Sequence, residues 1–223
     1  NIIKSISAIF SSQSKVDGST LMAQMAKDKL IKYDSVVYWN GINQFEGNLR
    51  DILQMCKEAN VPVITSTLAC NLKDQKPFVT IKDSNYPPAD NVFKNAERKL
   101  EYSDIDSAKA LFIYAKELDA LRFRAPEEIN KAIISLSNEF NYPVIISDSL
   151  LNVVSSDGIV GDDLMTDHLH PNVKGYQLIG NLFFCEMKKN GFLPSDELPD
   201  IDEKTADSLI YVYYNFTHFD STV

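Results

Sequence analysis

Twice along this chain an amphipathic helical stripe runs, after a tight turn, into a short β-branched segment. Leu49, Ile52, Leu53 and Cys56 recur at i, i+3, i+4 and i+7, Asn60 offers a stop, and VPVITSTL follows from Val61. Ile129, Ala132, Ile133, Leu136 and Phe140 form a second stripe, and Tyr142-Pro143 leads into VIIS. The stripes read as the inward faces of helices, and short β-branched runs bounded by turns suit strands buried in a parallel sheet. Helix then strand, twice, predicts an α/β fold with helices packed on the sheet.

The expected layer order is a flavodoxin-like, three-layer αβα arrangement with an incomplete parallel sheet. STLMAQMAKDKLIKY from Ser19 reads as a further helix, and SVVYW from Ser35 as a candidate third strand. Between the two clear strands lies a helical insert at about 90–120. Val92, Phe93, Ala96 and Leu100, then Ala108, Leu111, Phe112, Ala115 and Leu118, are spaced as two helices joined around Asp104 to Asp106. That spacing of small residues resembles a tetratricopeptide unit, in a single copy. After Pro171, the run Val173, Tyr176, Leu178, Ile179, Leu182, Phe183 and Met187 predicts a largely buried helix. A C-terminal tail at about 195–223, acidic and then aromatic (Tyr211, Tyr213, Tyr214, Phe216, Phe219), predicts a last helix laid on the surface or against a missing neighbour. With Gly and Pro sparse and no low-complexity linker, residues 1–223 read as one domain.

A net charge of −9 without a cluster of Lys and Arg argues against nucleic acid or an anionic membrane as a partner, since phosphate binding is carried by clustered cations. No apolar run reaches the roughly 20 residues that span a bilayer. Residues 1 to 10 lack the charged start and cleavage site of a signal peptide, in a chain that opens on Asn1. Cys56, Cys70 and Cys185, odd in number and without paired spacing, read as reduced thiols.

Two of the three histidines fall in one stretch, TDHLHPNVKGY from Thr166 to Tyr176. A histidine base needs a carboxylate on Nδ1 to set its tautomer and stabilise the imidazolium that forms. Asp167 precedes His170 by three residues, within reach through one turn of loop. Pro171 holds the backbone extended at His170. His168, of opposite phase, is expected to point elsewhere. Three readings stand open: a loop hydrogen bond, a catalytic Asp167–His170 pair, or a metal site of Asp167, His168 and His170, since alternate histidines can share one ion.

Asp-x-x-His-Pro followed by Gly-Tyr and an apolar helix resembles the last block of the SGNH (GDSL) hydrolases. The likeness extends to FEGNLRDILQMCKEANVPVITSTLACNLKDQKPF, AKELDALRFRAP and GIVGDDLMTDHLHP, which are similar to a subgroup of SGNH-type proteins carrying tetratricopeptide-like helices. It spans about Phe45 to Phe184. The resemblance implies His170 as general base and Asp167 as its orienting acid. It also implies ester hydrolysis or acyl transfer through an acyl-serine, on a small-molecule or glycan ester and with no cofactor.

That family places a Gly-Asp-Ser-Leu-like block on its first strand and takes oxyanion donors from a Gly and an Asn on later loops. Nothing before Asn40 matches the serine block, so the chain reads as a C-terminal portion of such an enzyme. SDSLL imitates the block, but it lies too close before Asp167, which makes Ser147 and Ser149 decoys. Gly41-Ile42-Asn43 has the form of the Gly-x-Asn block, yet the helical stripe from Leu49 leaves it little loop. Asn71, Asp74 and Pro77-Phe78 follow the first strand, where such sheets gather ligands, and read as a capped, ordered loop. Arg122 and Arg124 could hold an anionic group, but pairing with the acidic surface is the expectation. A rival class is a non-catalytic interaction module on a decayed hydrolase core, with a protein partner bound through the helical insert.

Overall fold

The computed structural model describes residues 30–194 and 202–213. Its first helix, α1 (Val36–Glu58), is capped by Ser35, whose hydroxyl accepts the Tyr38 N–H at 3.2 Å. Asn60, in the left-handed region at φ 56, ends it as the stop expected there, with the Val61 N–H returning to the Cys56 carbonyl. SVVYW is therefore not a strand. Helical phase puts Tyr38 and Ile42 against Ile129 and Ile133, and Leu53 against Leu136 and Phe140. The contacts that Tyr38 and Ile42 make in the helix override the β propensity of Val36 and Val37, which end up exposed. Ile52, expected to face inward, is 56% exposed.

The strands are shorter than the β-branched runs that hold them. β1 (Thr65–Ser66) pairs in parallel with β2 (Val144–Ile145), in the register Thr65 to Val144 and Ser66 to Ile145. The helix preceding β2 is α4 (Glu127–Phe140), which packs on α1 and on both strands. All five residues of its expected stripe are buried. Asn141, at φ 58, turns the chain from α4 towards β2.

The insert is a helical hairpin, α2 (Ala89–Glu101) and α3 (Ile105–Leu118). Its turn is Tyr102–Asp104, slightly earlier than the spacing suggested, with Ser103 at φ 58. Ala96, Ala108 and Ala115 are fully buried and let the two helices approach closely, while Phe93 and Phe112 meet edge to face at 5.0 Å. Cys70, Leu72 and Ile159 join this cluster, so the hairpin is packed onto the loop after β1 and onto the segment that leads to Asp167.

α5 (Ser147–Val154) follows β2 directly, and α6 (Val173–Lys189) packs against it and against β2. α6 is not the largely buried helix expected from its sequence. Gly175 is its one buried residue, most of its apolar side chains are half-covered, and Tyr176 and Phe184 are exposed. α7 (Glu203–Tyr213) carries part of the acidic and aromatic tail, with Val212 and Tyr213 exposed; Phe216 and Phe219 lie outside the described residues. So does the helix expected from Ser19 over all but its last few residues, and residues 30–33 are not helical. Among the described residues the architecture is thus helix-rich with a two-stranded parallel sheet. Cys56, Cys70 and Cys185 are all free thiols. Among the described residues no helix is long and apolar enough to cross a membrane.

Candidate active site

Residues 164–172 fold into a miniature hairpin beside the N-terminus of α6. Met165 and Pro171 form an antiparallel bridge, the Thr166 N–H donates to the His170 carbonyl at 2.8 Å, and the Asn172 N–H donates to the Leu164 carbonyl at 3.0 Å. Asn172 also caps α6, its side-chain oxygen accepting the Gly175 N–H at 3.0 Å. Gly175 belongs where it stands because a Cβ there would lie 2.3 Å from the Leu164 carbonyl oxygen and 2.9 Å from Pro171 Cβ. The Pro and the Gly of the Asp-x-x-His-Pro and Gly-Tyr pattern thus lock one loop against one helix.

At the hairpin tip, Asp167 Oδ1 accepts the backbone N–H groups of Leu169 and His170, both at 2.8 Å. This closes an Asx-type turn that brings residue 170 back over residue 167. Asp167 Oδ2 then lies 2.7 Å from His170 Nδ1. Partial desolvation pushes the Asp167 carboxyl up, but the two backbone N–H donors and the His170 ring outweigh it and hold the group at about 2. An ionised Asp167 can only accept, so Nδ1 carries the proton and Nε2 is left as the basic nitrogen. The His170 side chain is 60% exposed, so that nitrogen is open to a reacting group.

His168 turns into the protein, as its opposite phase predicts, and is buried with its ring 5.1 Å from that of Phe78 and 5.6 Å from that of Phe123. Its Nδ1 nonetheless remains 3.7 Å from Asp167 Oδ1, beyond hydrogen-bond distance. Desolvation lowers its pKa against the pull of Asp167. The two imidazoles stand at a steep angle with centroids 6.3 Å apart. Among the described residues no group of three His, Cys, Asp or Glu side chains is placed to hold a metal ion, and the Asp167–His168–His170 metal reading finds no geometry here.

The other candidates take structural places. Ser147 is buried at the start of α5 and shares a 2.5 Å hydrogen bond with the Ser66 hydroxyl, tying the ends of the two strands. Ser149 is exposed and lines a cavity of about 170 Å³ between Leu68, Lys116, Asp148 and Asn152, to which neither Asp167 nor His170 contributes. Asn43 is exposed on α1. The loop reading of Asn71 and Asp74 describes what they do: the Asp74 N–H donates to Asn71 Oδ1 at 3.1 Å, and Asp74 Oδ2 accepts the Asp162 N–H at 2.8 Å. The arginines do not pair with an acidic surface. Arg124 is buried with Asp119 at 3.4 Å, and Arg122 donates to the carbonyls of Ile31 and Glu117 while lying 5.1 Å over the Tyr38 ring.

Two buried asparagines were missed by the pattern reading. Asn130 on α4 accepts the Leu68 N–H at 2.8 Å and donates to the Leu68 carbonyl at 3.1 Å, finishing β1 where its own ladder stops. Asn152 on α5 accepts the Val160 N–H at 2.9 Å. The available signal was a polar residue beside an apolar stripe, Asn130 next to Ile129. No protein-family model matches this chain, and neither the curated proteins nor the solved structures compared with it include a match.

Proposed function

We propose that Asp167 and His170 are the acid and base of an SGNH-type serine ester hydrolase, whose full sheet has the flavodoxin-like three-layer αβα order. The observation that carries this reading is the 2.7 Å contact between a strongly acidic carboxylate and Nδ1 of a largely exposed imidazole. In such a site the His170 Nε2 takes the proton of a serine hydroxyl as that oxygen attacks an ester carbonyl, then returns it to the departing alkoxide. Asp167 keeps the ring in the reactive tautomer and offsets the charge of the imidazolium. No hydrogen bond of the His170 ring goes to a serine among the described residues. The proposal takes the nucleophile from a Gly-Asp-Ser-Leu-like block, which residues 1–40 do not contain, and the oxyanion donors from a Gly and an Asn on other loops. Its substrate is a small-molecule or glycan ester, and no metal or organic cofactor enters the chemistry.

The test is Asp167→Asn in the protein that carries the serine segment, assayed on an aryl acetate. Loss of tautomer control costs about 10⁴-fold in turnover in a Ser-His-Asp site. A loss of that order, with an unchanged circular dichroism spectrum, is expected. Turnover within a few-fold of the parent would overturn the proposal.

A further inference from the structure

The segment AKELDALRFRAP contributes nothing to the Asp167–His170 pair directly, yet it holds a buried ion pair that the proposed chemistry leaves unused. The Arg124 side chain is 2% exposed and that of Asp119 is 3% exposed. Burying two charges is expensive unless their remaining hydrogen-bonding capacity is filled. Here one loop fills most of it, with Arg124 Nε left without a partner among the described residues. Arg124 Nη1 donates to the carbonyls of Asn71 and Gln75, both at 3.0 Å. Asp119 accepts the N–H groups of Phe78 at 2.8 Å, Val79 at 3.0 Å and Leu121 at 3.1 Å. The pair therefore clamps both ends of residues 71–79.

That loop in turn holds the candidate site from below. The Asn71 N–H donates to the His168 carbonyl at 3.1 Å, and Asn71 Nδ2 donates to Asp162 Oδ1 at 2.7 Å. The Phe78 ring supports the His168 ring. His168 sits inside the four-residue turn whose two ends are Asp167 and His170, so fixing its carbonyl and ring limits how that turn can open. We infer that Arg124 and Asp119 are positioning residues, which hold the Asp167–His170 pair in register through Asn71, Phe78 and His168. The inference deepens the proposed function and rests on it for the meaning of the pair, while the geometry can be tested without turnover.

The experiment follows the ring nitrogens of the 223-residue chain by long-range ¹H–¹⁵N correlation, with the three histidines assigned by substitution. In Arg124→Lys, which keeps the charge and loses the fork, the Nδ1–H signal of His170 bonded to Asp167 is expected to be lost and the His168 ring signals to shift. Lys116→Met is the control. Lys116 is equally buried, at 3% exposure, and pairs with Glu127 and Glu117, but it makes no hydrogen bond to residues 71–79. Its loss should lower stability while leaving the His170 signal in place. Ring signals in folded Arg124→Lys that superimpose on the parent, or an equal disturbance in Lys116→Met, would overturn the assignment. Should Arg124→Lys not fold, Asp119→Asn decides in its place: it keeps the shape of the side chain but turns one of the two oxygens that accept the Phe78, Val79 and Leu121 N–H groups into a donor, and parent-like ring signals there overturn the assignment too. If Asp167→Asn leaves ester turnover intact while Arg124→Lys still displaces the ring, the activity reading falls and the clamp stands.

Discussion

Gly175→Ala should separate the anchoring of the His170 loop from the chemistry of its side chains. The added Cβ would sit 2.3 Å from the Leu164 carbonyl oxygen, and Cβ contacts under 3.0 Å essentially never occur. Both groups are backbone-bound, so the first turn of α6 must retreat from residues 164–171 by at least about 0.7 Å, an overpacking strain of about 1–3 kcal/mol. The same retreat pulls on two hydrogen bonds, Asn172 N–H to Leu164 at 3.0 Å and Gly175 N–H to Asn172 Oδ1 at 3.0 Å. Losing a helix N-cap costs about 1 kcal/mol. Together these give an expected destabilisation of about 2–4 kcal/mol, partly relieved if α6 tilts at its exposed end. The assay is urea denaturation of the chain, with the linear slope compared between variant and parent, alongside the His170 ring signals. An unchanged midpoint with an unchanged His170 signal would refute the argument that Gly175 is required by close approach.

Expressed alone, the 223-residue chain should hydrolyse aryl acetates no faster than background, because a base without nucleophile and oxyanion donors retains little activity. Turnover that vanishes in His170→Ala would contradict this. Asp167 is held at about 2, below its usual 3.8, so its contribution to stability is fully present above about pH 4 and is lost as pH falls towards 2. Asp167→Asn should flatten the acid limb of a stability-versus-pH curve in that window, and an unaltered limb would count against the hydrogen bonds described. Asn130→Ala strands the Leu68 N–H and carbonyl at the end of β1, which should cost about 1–3 kcal/mol in denaturation. A loss under half a kcal/mol would show that water replaces the amide.

What the chain settles by itself is local. The stripe from Ile129 to Phe140 needed no partner to be read, because 3.6-residue periodicity alone says which side faces inward, and all five residues are buried. The α2–α3 hairpin was legible for the same reason. So was the meeting of Asp167 and His170: three residues apart, with Pro171 behind them, the two can close through an Asx turn whose hydrogen bonds are all short-range.

Tertiary structure decided whatever depended on partners distant in sequence. SVVYW has strand propensity, yet it lies in a helix whose Tyr38 and Ile42 pack on Ile129 and Ile133, partners some ninety residues away. Periodicity in α6 marks an apolar face but cannot say how much of it a neighbour covers, and that face is only half-buried. Arg124 reads as a surface cation until Asp119, Asn71 and Gln75 converge on it, the last two from a loop some fifty residues earlier. Local phase sends the His168 ring away from His170, but only the rings of Phe78 and Phe123 make that direction a buried one, while His170 is left to solvent. Short-range geometry follows from backbone dihedrals and local hydrogen bonds, whereas burial is a property of whatever else occupies the space, which no local pattern contains.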